Sequence, residues 1–144
     1  MPDEFEELKE HLKDNRLRRR TEHVVYENAR VYKAYDALKA GKIEEVGELL
    51  KQSHASLKDL YEVTGKELDT IVAIANASKF SVGSRMTGAG FGGCAISIVE
   101  KDKASEFIEE VGKAYKEKIG YEAEFYRSDA GDGTKRIYEE DLKG

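Results

Sequence analysis

The stretch GSRMTGAGFGGCAISIV, Gly83 to Val99, places four glycines within six residues directly before an apolar run. The flanking segments FSVGSRMT and CAISIVE contain aromatic and β-branched residues, and they predict two strands joined by the glycine-rich loop. Glycine weakens a strand interior by about 0.5–1 kcal/mol relative to alanine, so the cluster needs a reason in backbone conformation or close approach. The stretch therefore predicts a β-hairpin with an unusual loop.

Nucleotide-binding glycine motifs do not explain this loop. Gly88, Gly90 and Gly93 satisfy G-x-G-x-x-G, but that fingerprint opens a helix after a strand, whereas a strand follows here. The GKE at residues 65–67 lacks the final serine or threonine of a phosphate loop. Two interpretations stay open from the pattern alone. The loop is an ordinary glycine-rich hairpin connection, or its N–H groups converge on an anion or on another loop.

The residues before the hairpin predict helices. The segment DEFEELKEHL predicts a short helix, so residues 1–16 form a helical extension. Apolar and small residues then recur at 4-3-4-3 spacing and predict a long amphipathic helix that ends near Gly41. The positions of this stripe are Leu17, Thr21, Val24, Asn28, Val31, Tyr35 and Leu38. A second helix runs from Ile43 to Tyr61, and a third opens with a capping box of Thr64 and Glu67. The apolar face of the third helix is predicted to consist of Leu68, Ile71, Val72 and Ala75.

The residues after the hairpin predict one helix and two further strands. Phe107, Ile108, Val111 and Tyr115 form the apolar face of a fourth amphipathic helix, which ends at Gly120. The segments EAEFYRS and TKRIYE predict strands, with DAGDG as the turn between them. The fold class is therefore α+β, a small antiparallel sheet packed against about four to five helices in a single domain of residues 1–144.

Composition excludes several classes of function. The chain has 144 residues and a net charge of −5, which argues against a general nucleic-acid binder. The basic run RLRRR, residues 16–20, is interpreted as a solvated helix face. No apolar segment approaches 18 residues, so we expect a cytoplasmic protein with no membrane partner. The single cysteine, Cys94, excludes an internal disulfide, and its apolar neighbours predict a buried thiol.

No catalytic or metal-binding set emerges from residue spacing. His54 lies on the apolar stripe of the second helix, where a packed and hydrogen-bonded histidine is favoured over a metal ligand or base. His11 and His23 lie on separate segments and form no ligand pair with it. We therefore predict no catalytic residue and no metal ligand in this chain.

Four segments together resemble the C-terminal half of the galactokinases, within the GHMP family of small-molecule kinases. They are SRMTGAGFGG (residues 84–93), QSHASLKDLYEVTGKELD (52–69), RRRTEHVVYEN (18–28) and FYRSDAGDGTKRI (125–137). The resemblance spans Leu17 to Tyr138. The sequence departs from the family pattern at Leu60, where aspartate is usual, and at Glu22, where arginine is common. Both departures leave the glycine loop intact.

The resemblance implies a ferredoxin-like C-terminal domain of an enzyme that transfers the γ-phosphoryl group of MgATP to the anomeric hydroxyl of galactose. In that family the phosphate loop, the catalytic aspartate and the sugar-binding residues lie in the N-terminal half, which has no counterpart here. The third conserved motif of the family forms one wall of the shared cleft for sugar and ATP. It would correspond to Ser84, Arg85, Met86, Thr87, Gly88, Ala89, Gly90, Phe91, Gly92 and Gly93.

Three expectations follow from the resemblance. The chain is inactive alone and works with an N-terminal half, in cis or in trans; alternatively, it is a stand-alone, non-catalytic ligand-binding or regulatory module. The face that covers the N-terminal half is unusually apolar for a monomer. A side chain at Gly88 or Gly90 blocks close approach at the cleft, and replacing Gly90 by valine abolishes activity while sparing the fold.

Overall fold

The computed structural model describes residues 1–90, 93–129 and 131. Over these residues the chain forms five α-helices and a two-stranded antiparallel sheet, which confirms the α+β class. The elements are α1 (Pro2–Leu8), α2 (Asn15–Lys39), α3 (Ile43–Ser56), α4 (Lys66–Ala77), β1 (Ser81–Thr87), β2 (Cys94–Val99) and α5 (Ala104–Ile119). Within the described ranges, no helix has the length and apolarity needed to cross a membrane.

The predicted N-terminal extension is α1, which packs on α2. The rings of Phe5 and Tyr26 meet edge to face, with centroids 6.4 Å apart. Helix α2 begins two residues before Leu17 because Asp14 caps it, with its carboxylate accepting the amide hydrogens of Arg16 and Leu17. An aspartate at the N-cap satisfies amides that have no partner within the helix.

Helices α2 and α3 are antiparallel neighbours, as their tight connection predicts. Gly41, with φ of +71°, follows the last turn of α2 and reverses the chain. Ser53 then contacts Glu27, and Ser56 contacts His23, so positions later in α3 meet positions earlier in α2. A π-helical turn, Leu57–Tyr61, continues α3 toward the start of α4.

The apolar stripe of α2 faces outward. Five of its seven positions are large hydrophobic residues that are exposed: Leu17, Val24, Val31, Tyr35 and Leu38. The inner face of the helix instead carries His23, Glu27 and Arg30, which are buried or half-buried. The predicted helix is therefore confirmed, but the apolar periodicity does not mark the side that packs on this domain.

Helix α3 lies directly against β1 because two glycines meet there. A Cβ built on Gly47 would lie 2.1 Å from the carbonyl oxygen of Val82, and one built on Gly83 would lie 2.3 Å from the carbonyl oxygen of Gly47. Real Cβ atoms do not approach backbone this closely, so both positions require glycine for the observed packing. This contact sets the distance between the helix layer and the strand that leads into the glycine loop.

Two apolar clusters form the core, and α4 contributes to both. One contains Leu57, Leu68 and Met86, and it lies beneath the end of β1. The other contains Ala75, Phe107 and Val111, and it joins α4 to α5. The apolar faces predicted for these two helices are confirmed.

Several local predictions are wrong. Helix α4 is capped by Gly65, which has φ of +86°, rather than by a Thr64–Glu67 capping box, because Thr64 is buried in the preceding turn. The segment 122–128 has no strand assignment; Phe125 instead anchors it against the α4–α5 cluster. The strand predicted at TKRIYE, together with most of its preceding turn, lies outside the described residues.

Candidate functional site

The candidate site is the segment of residues 88–93 that closes the β1–β2 hairpin. The two strands pair as far as Thr87 and Cys94. Gly88 and Gly90 have φ of +74° and +82°, values that residues with a side chain rarely adopt. The Gly93 amide donates to the Gly90 carbonyl at 3.1 Å, which tightens the end of the segment.

Gly88 and Gly90 differ in their surroundings. A Cβ at Gly90 would lie 2.1 Å from the Val63 carbonyl oxygen, on the turn between α3 and α4. A Cβ at Gly88 would meet nothing within 4 Å. The expectation that a side chain at Gly90 spares the fold is therefore wrong, because this glycine already packs against its own domain. Gly88 faces open space, and a role in close approach stays a prediction there.

The predicted site residues that the structure describes fall into an inner and an outer group. The inner group is buried or half-buried: Ser84, Arg85, Met86 and Gly90. The outer group is exposed: Thr87, Gly88, Ala89 and Gly93. Phe91 and Gly92 lie outside the described residues. Among the described residues of the motif the outer group is the more exposed, whereas the side chains of Ser84 and Met86 are buried and hold the hairpin in the domain.

Side chains from two helices bind the outer edge of β1. The Ser84 amide donates to the Oδ1 of Asn76 at 2.8 Å, and the Asn76 Nδ2 donates back to the Ser84 carbonyl at 3.3 Å. Two residues later, the Met86 amide donates to the Nδ1 of His54 at 3.1 Å. These groups take the positions that a third strand would occupy. The strand leading into the glycine loop is thus fixed on both edges.

His54 is the packed, hydrogen-bonded histidine that its position predicts. Its Nδ1 accepts from Met86, so the proton lies on Nε2, which donates to the Oδ1 of Asp69 at 3.1 Å. Burial lowers the pKa of His54 below its ordinary value, and the neighbouring Asp69 carboxylate opposes this only in part. The neutral ring therefore serves as a bridge from α4 through α3 to β1.

An ion-pair cluster fixes Arg85, the charged residue of the motif. Its guanidinium donates to Glu27 at 3.1 Å, to the hydroxyl of Ser53 at 2.9 Å and to the Met86 carbonyl at 2.7 Å. Burial would raise the pKa of Glu27, but the Ser53 hydroxyl, the Arg30 hydrogen bond and the two positive charges outweigh burial and lower it. The carboxylate therefore stays charged and ties α2 and α3 to β1.

Sequence reasoning missed three of these supporting residues. Asn76 follows the apolar face of α4 by one position, and a polar residue there is the only signal that could have indicated a buried contact. Glu27 lies off the predicted apolar stripe of α2, and nothing in the sequence marks this carboxylate as half-buried. Val63 meets Gly90 through its backbone carbonyl, and such a contact leaves no signal in the side-chain pattern.

Two further findings concern ligands and the thiol. Among the residues that the structure describes, no group of three or more His, Cys, Asp or Glu side chains is arranged to hold a metal ion. Cys94 is exposed, so the prediction of a buried thiol is wrong. The alternation of β2 explains this, since Cys94 and Ile96 point to the open face of the sheet while Ala95 points to the core.

The chain matches the family model described as GHMP kinases C terminal over residues 34–117. This range includes α3, α4, the glycine loop and most of α5. Galactokinase from Clostridium acetobutylicum is 53% identical over 134 residues, which are 93% of this chain and 34% of that protein. Galactokinase from Fusobacterium nucleatum is 52% identical over the same shares of the two chains.

A solved structure agrees with these sequence matches. The crystal structure of Lactococcus lactis galactokinase complexed with galactose superposes with a TM-score of 0.88 and 47% identity. The superposition covers 95% of this chain and 35% of the Lactococcus chain. The chain therefore spans about a third of the length of the curated relatives and of the solved structure that it matches.

Proposed function

The chain belongs to the family of GHMP kinase C-terminal domains and corresponds to the C-terminal part of a galactokinase-like sugar kinase, and we propose that it phosphorylates galactose with ATP when joined to an N-terminal half. The observation that carries this proposal is the 53% identity to a galactokinase across 93% of the chain. The whole chain, residues 1–144, would act as one domain, with residues 1–16 as a helical extension. The cytoplasm, where ATP is available, is its proposed location.

The glycine loop is the proposed contribution of this chain to the reaction. Phosphoryl transfer depends mainly on positioning and on stabilising charge at the transferring group. Residues 84–93 would form one wall of the cleft, with Thr87, Gly88 and Ala89 facing the ligands. The positive φ at Gly88 and the open space beside it support close approach by a phosphate group.

The supporting residues would act on the loop and not on the substrates. His54 and Asn76 hold the outer edge of β1, and the contact with Val63 fixes Gly90. MgATP and galactose would enter as substrates of the complete enzyme. The phosphate loop and the catalytic carboxylate are proposed to come from the N-terminal half, in cis or in trans.

A chimera tests the proposal. The C-terminal third of Clostridium acetobutylicum galactokinase is replaced by this chain, and galactose-dependent ADP release is measured. We expect turnover by the chimera and none by this chain alone. A second chimera with the same junction, carrying the corresponding third of the Fusobacterium nucleatum enzyme, controls for the junction. If that control turns over galactose and the folded test chimera does not, the proposed function is wrong.

A further inference from the structure

Helix α2 presents a continuous apolar face to solvent. The exposed fractions are 53% for Leu17, 49% for Val24, 61% for Val31, 59% for Tyr35 and 59% for Leu38. Spacings of seven, seven, four and three residues keep these side chains on one side of the helix. At a rise of about 1.5 Å per residue the face is about 32 Å long. We call these five residues the outer stripe.

The outer stripe is not the ordinary scatter of exposed hydrophobic residues. Single apolar side chains are common on protein surfaces, but aligned sets mark interfaces. On its inner side α2 meets α3 through the contacts of His23 with Ser56 and of Glu27 with Ser53, and Arg30 pairs with Glu27 along α2 itself. Apart from the buried Ala37, the packed side of α2 is polar and its exposed side is apolar, which is the pattern of a helix between two layers, with the second layer outside the residues that the structure describes.

The outer stripe is linked to the glycine loop through a short series of contacts. Leu17 and Val24 lie one turn before and one turn after Arg20. The Arg20 guanidinium donates to the Leu60 carbonyl and to the Glu62 carboxylate. The next residue, Val63, is the one whose carbonyl oxygen lies against Gly90. The end of the stripe that contains Leu17 and Val24 is therefore the end that lies toward the loop.

We propose that the outer stripe is the docking surface for the N-terminal part of the kinase. This inference rests on the proposed function, and it names the surface on which the missing two-thirds of the matched relatives would pack. About two-thirds of the length of each relative lies outside the matched part. The buried centre of an interface is apolar, and the stripe supplies an apolar surface on this domain whose N-terminal end lies toward the candidate site.

The test places two charges on the stripe. Val31→Lys and Leu38→Lys are combined, and Asp36→Lys is the matched control, because Asp36 is exposed on another side of α2 and its replacement changes the charge by the same amount. In the 144-residue chain alone, all variants should keep the wild-type melting temperature within about 2 °C, since exposed substitutions have small effects. This arm shows that the double variant still folds.

The chimera then separates the inference from the proposed function. The double variant should lower the melting temperature of the chimera by about 4 °C or more, and the rate of ADP release by about tenfold or more, because docking would bury two unpaired charges. Asp36→Lys should change neither. Unchanged melting of the double-variant chimera overturns the inference, whether or not the chimera is active. So does a dimer of the isolated chain in light scattering that the double variant converts to monomer, since the stripe would then bind a second copy.

Discussion

Replacing His54 with alanine should destabilise the chain and loosen the strand that leads into the glycine loop. The substitution leaves the buried Met86 amide without an acceptor and removes the donor to Asp69. An unsatisfied buried amide costs about 1–3 kcal/mol. The lost ring adds a cavity, and large-to-alanine changes in cores cost about 2–5 kcal/mol. Taken together, the two costs predict a loss of at least about 3 kcal/mol in the free energy of unfolding.

The same histidine makes stability depend on pH. Burial lowers the pKa of His54 in the folded state below its ordinary value of about 6.5. The unfolded chain therefore binds a proton first as the pH falls, and this favours unfolding. The stability that neutral His54 contributes to the fold is fully present above about pH 6.5, and it is lost as the pH falls through the pKa of His54 in the folded state. Protonation of Nδ1 also removes the acceptor for Met86.

Urea unfolding of three proteins at pH 7.5 and 5.5 tests this account. The Oδ1 of His54→Asn can accept from Met86 but cannot titrate, so this variant should recover at least about 1 kcal/mol of the alanine loss at pH 7.5. Its free energy of unfolding should also fall less between pH 7.5 and pH 5.5 than that of the wild type. Some drop should persist, because burial lowers the pKa of His23 as well. Equal stability of the alanine and asparagine variants at pH 7.5 would refute the reasoning.

Three further predictions concern glycines in close contact with backbone and the cap of α2. Gly90→Ala should lower the free energy of unfolding by more than about 2 kcal/mol in urea, because positive φ and the Val63 carbonyl both oppose a side chain. Gly88→Ala should lower it by only about 1–2 kcal/mol, because only the positive φ opposes a side chain there. Equal losses for the two variants would contradict the contact between Gly90 and Val63. Helix propensity alone predicts that Gly47→Ala stabilises by about 0.5–1 kcal/mol, but the Cβ clash with β1 should reverse the sign to a loss of about 1–3 kcal/mol. Asp14→Ala should lower stability by about 1 kcal/mol through loss of the α2 cap, and no change in the unfolding midpoint would count against the cap.

The elements of the fold were predictable because their signals are local. The 3.6-residue periodicity around Val111 and Val72 identified two helices and their buried faces. Glycines directly after the helical patterns predicted helix ends at Gly41 and Gly120, and both residues have positive φ. Fold class and helix order follow from such local rules.

The candidate site was only partly predictable because its supports come from distant parts of the chain. The edge of β1 is bound by Asn76 and His54, and neither residue identifies its backbone partner from sequence alone. The outward direction of the α2 stripe was also hidden, since periodicity shows that a helix has an apolar side and not what covers it. Gly90 was assigned to ligand approach, whereas its nearest neighbour is Val63 of the same chain.

The side chains on the edge of β1 also affect aggregation. An exposed strand edge offers unpaired backbone groups to strands of other chains, and this is a common route to β-aggregates. Here an incoming strand would have to displace the Asn76 carboxamide and the His54 ring from three backbone hydrogen bonds before it could pair. Ser84 and Met86 are buried, so such intermolecular pairing requires this part of the domain to open locally. Loss of the Asn76 or the His54 side chain would favour it, and protonation of His54 in acid would remove one of the three bonds.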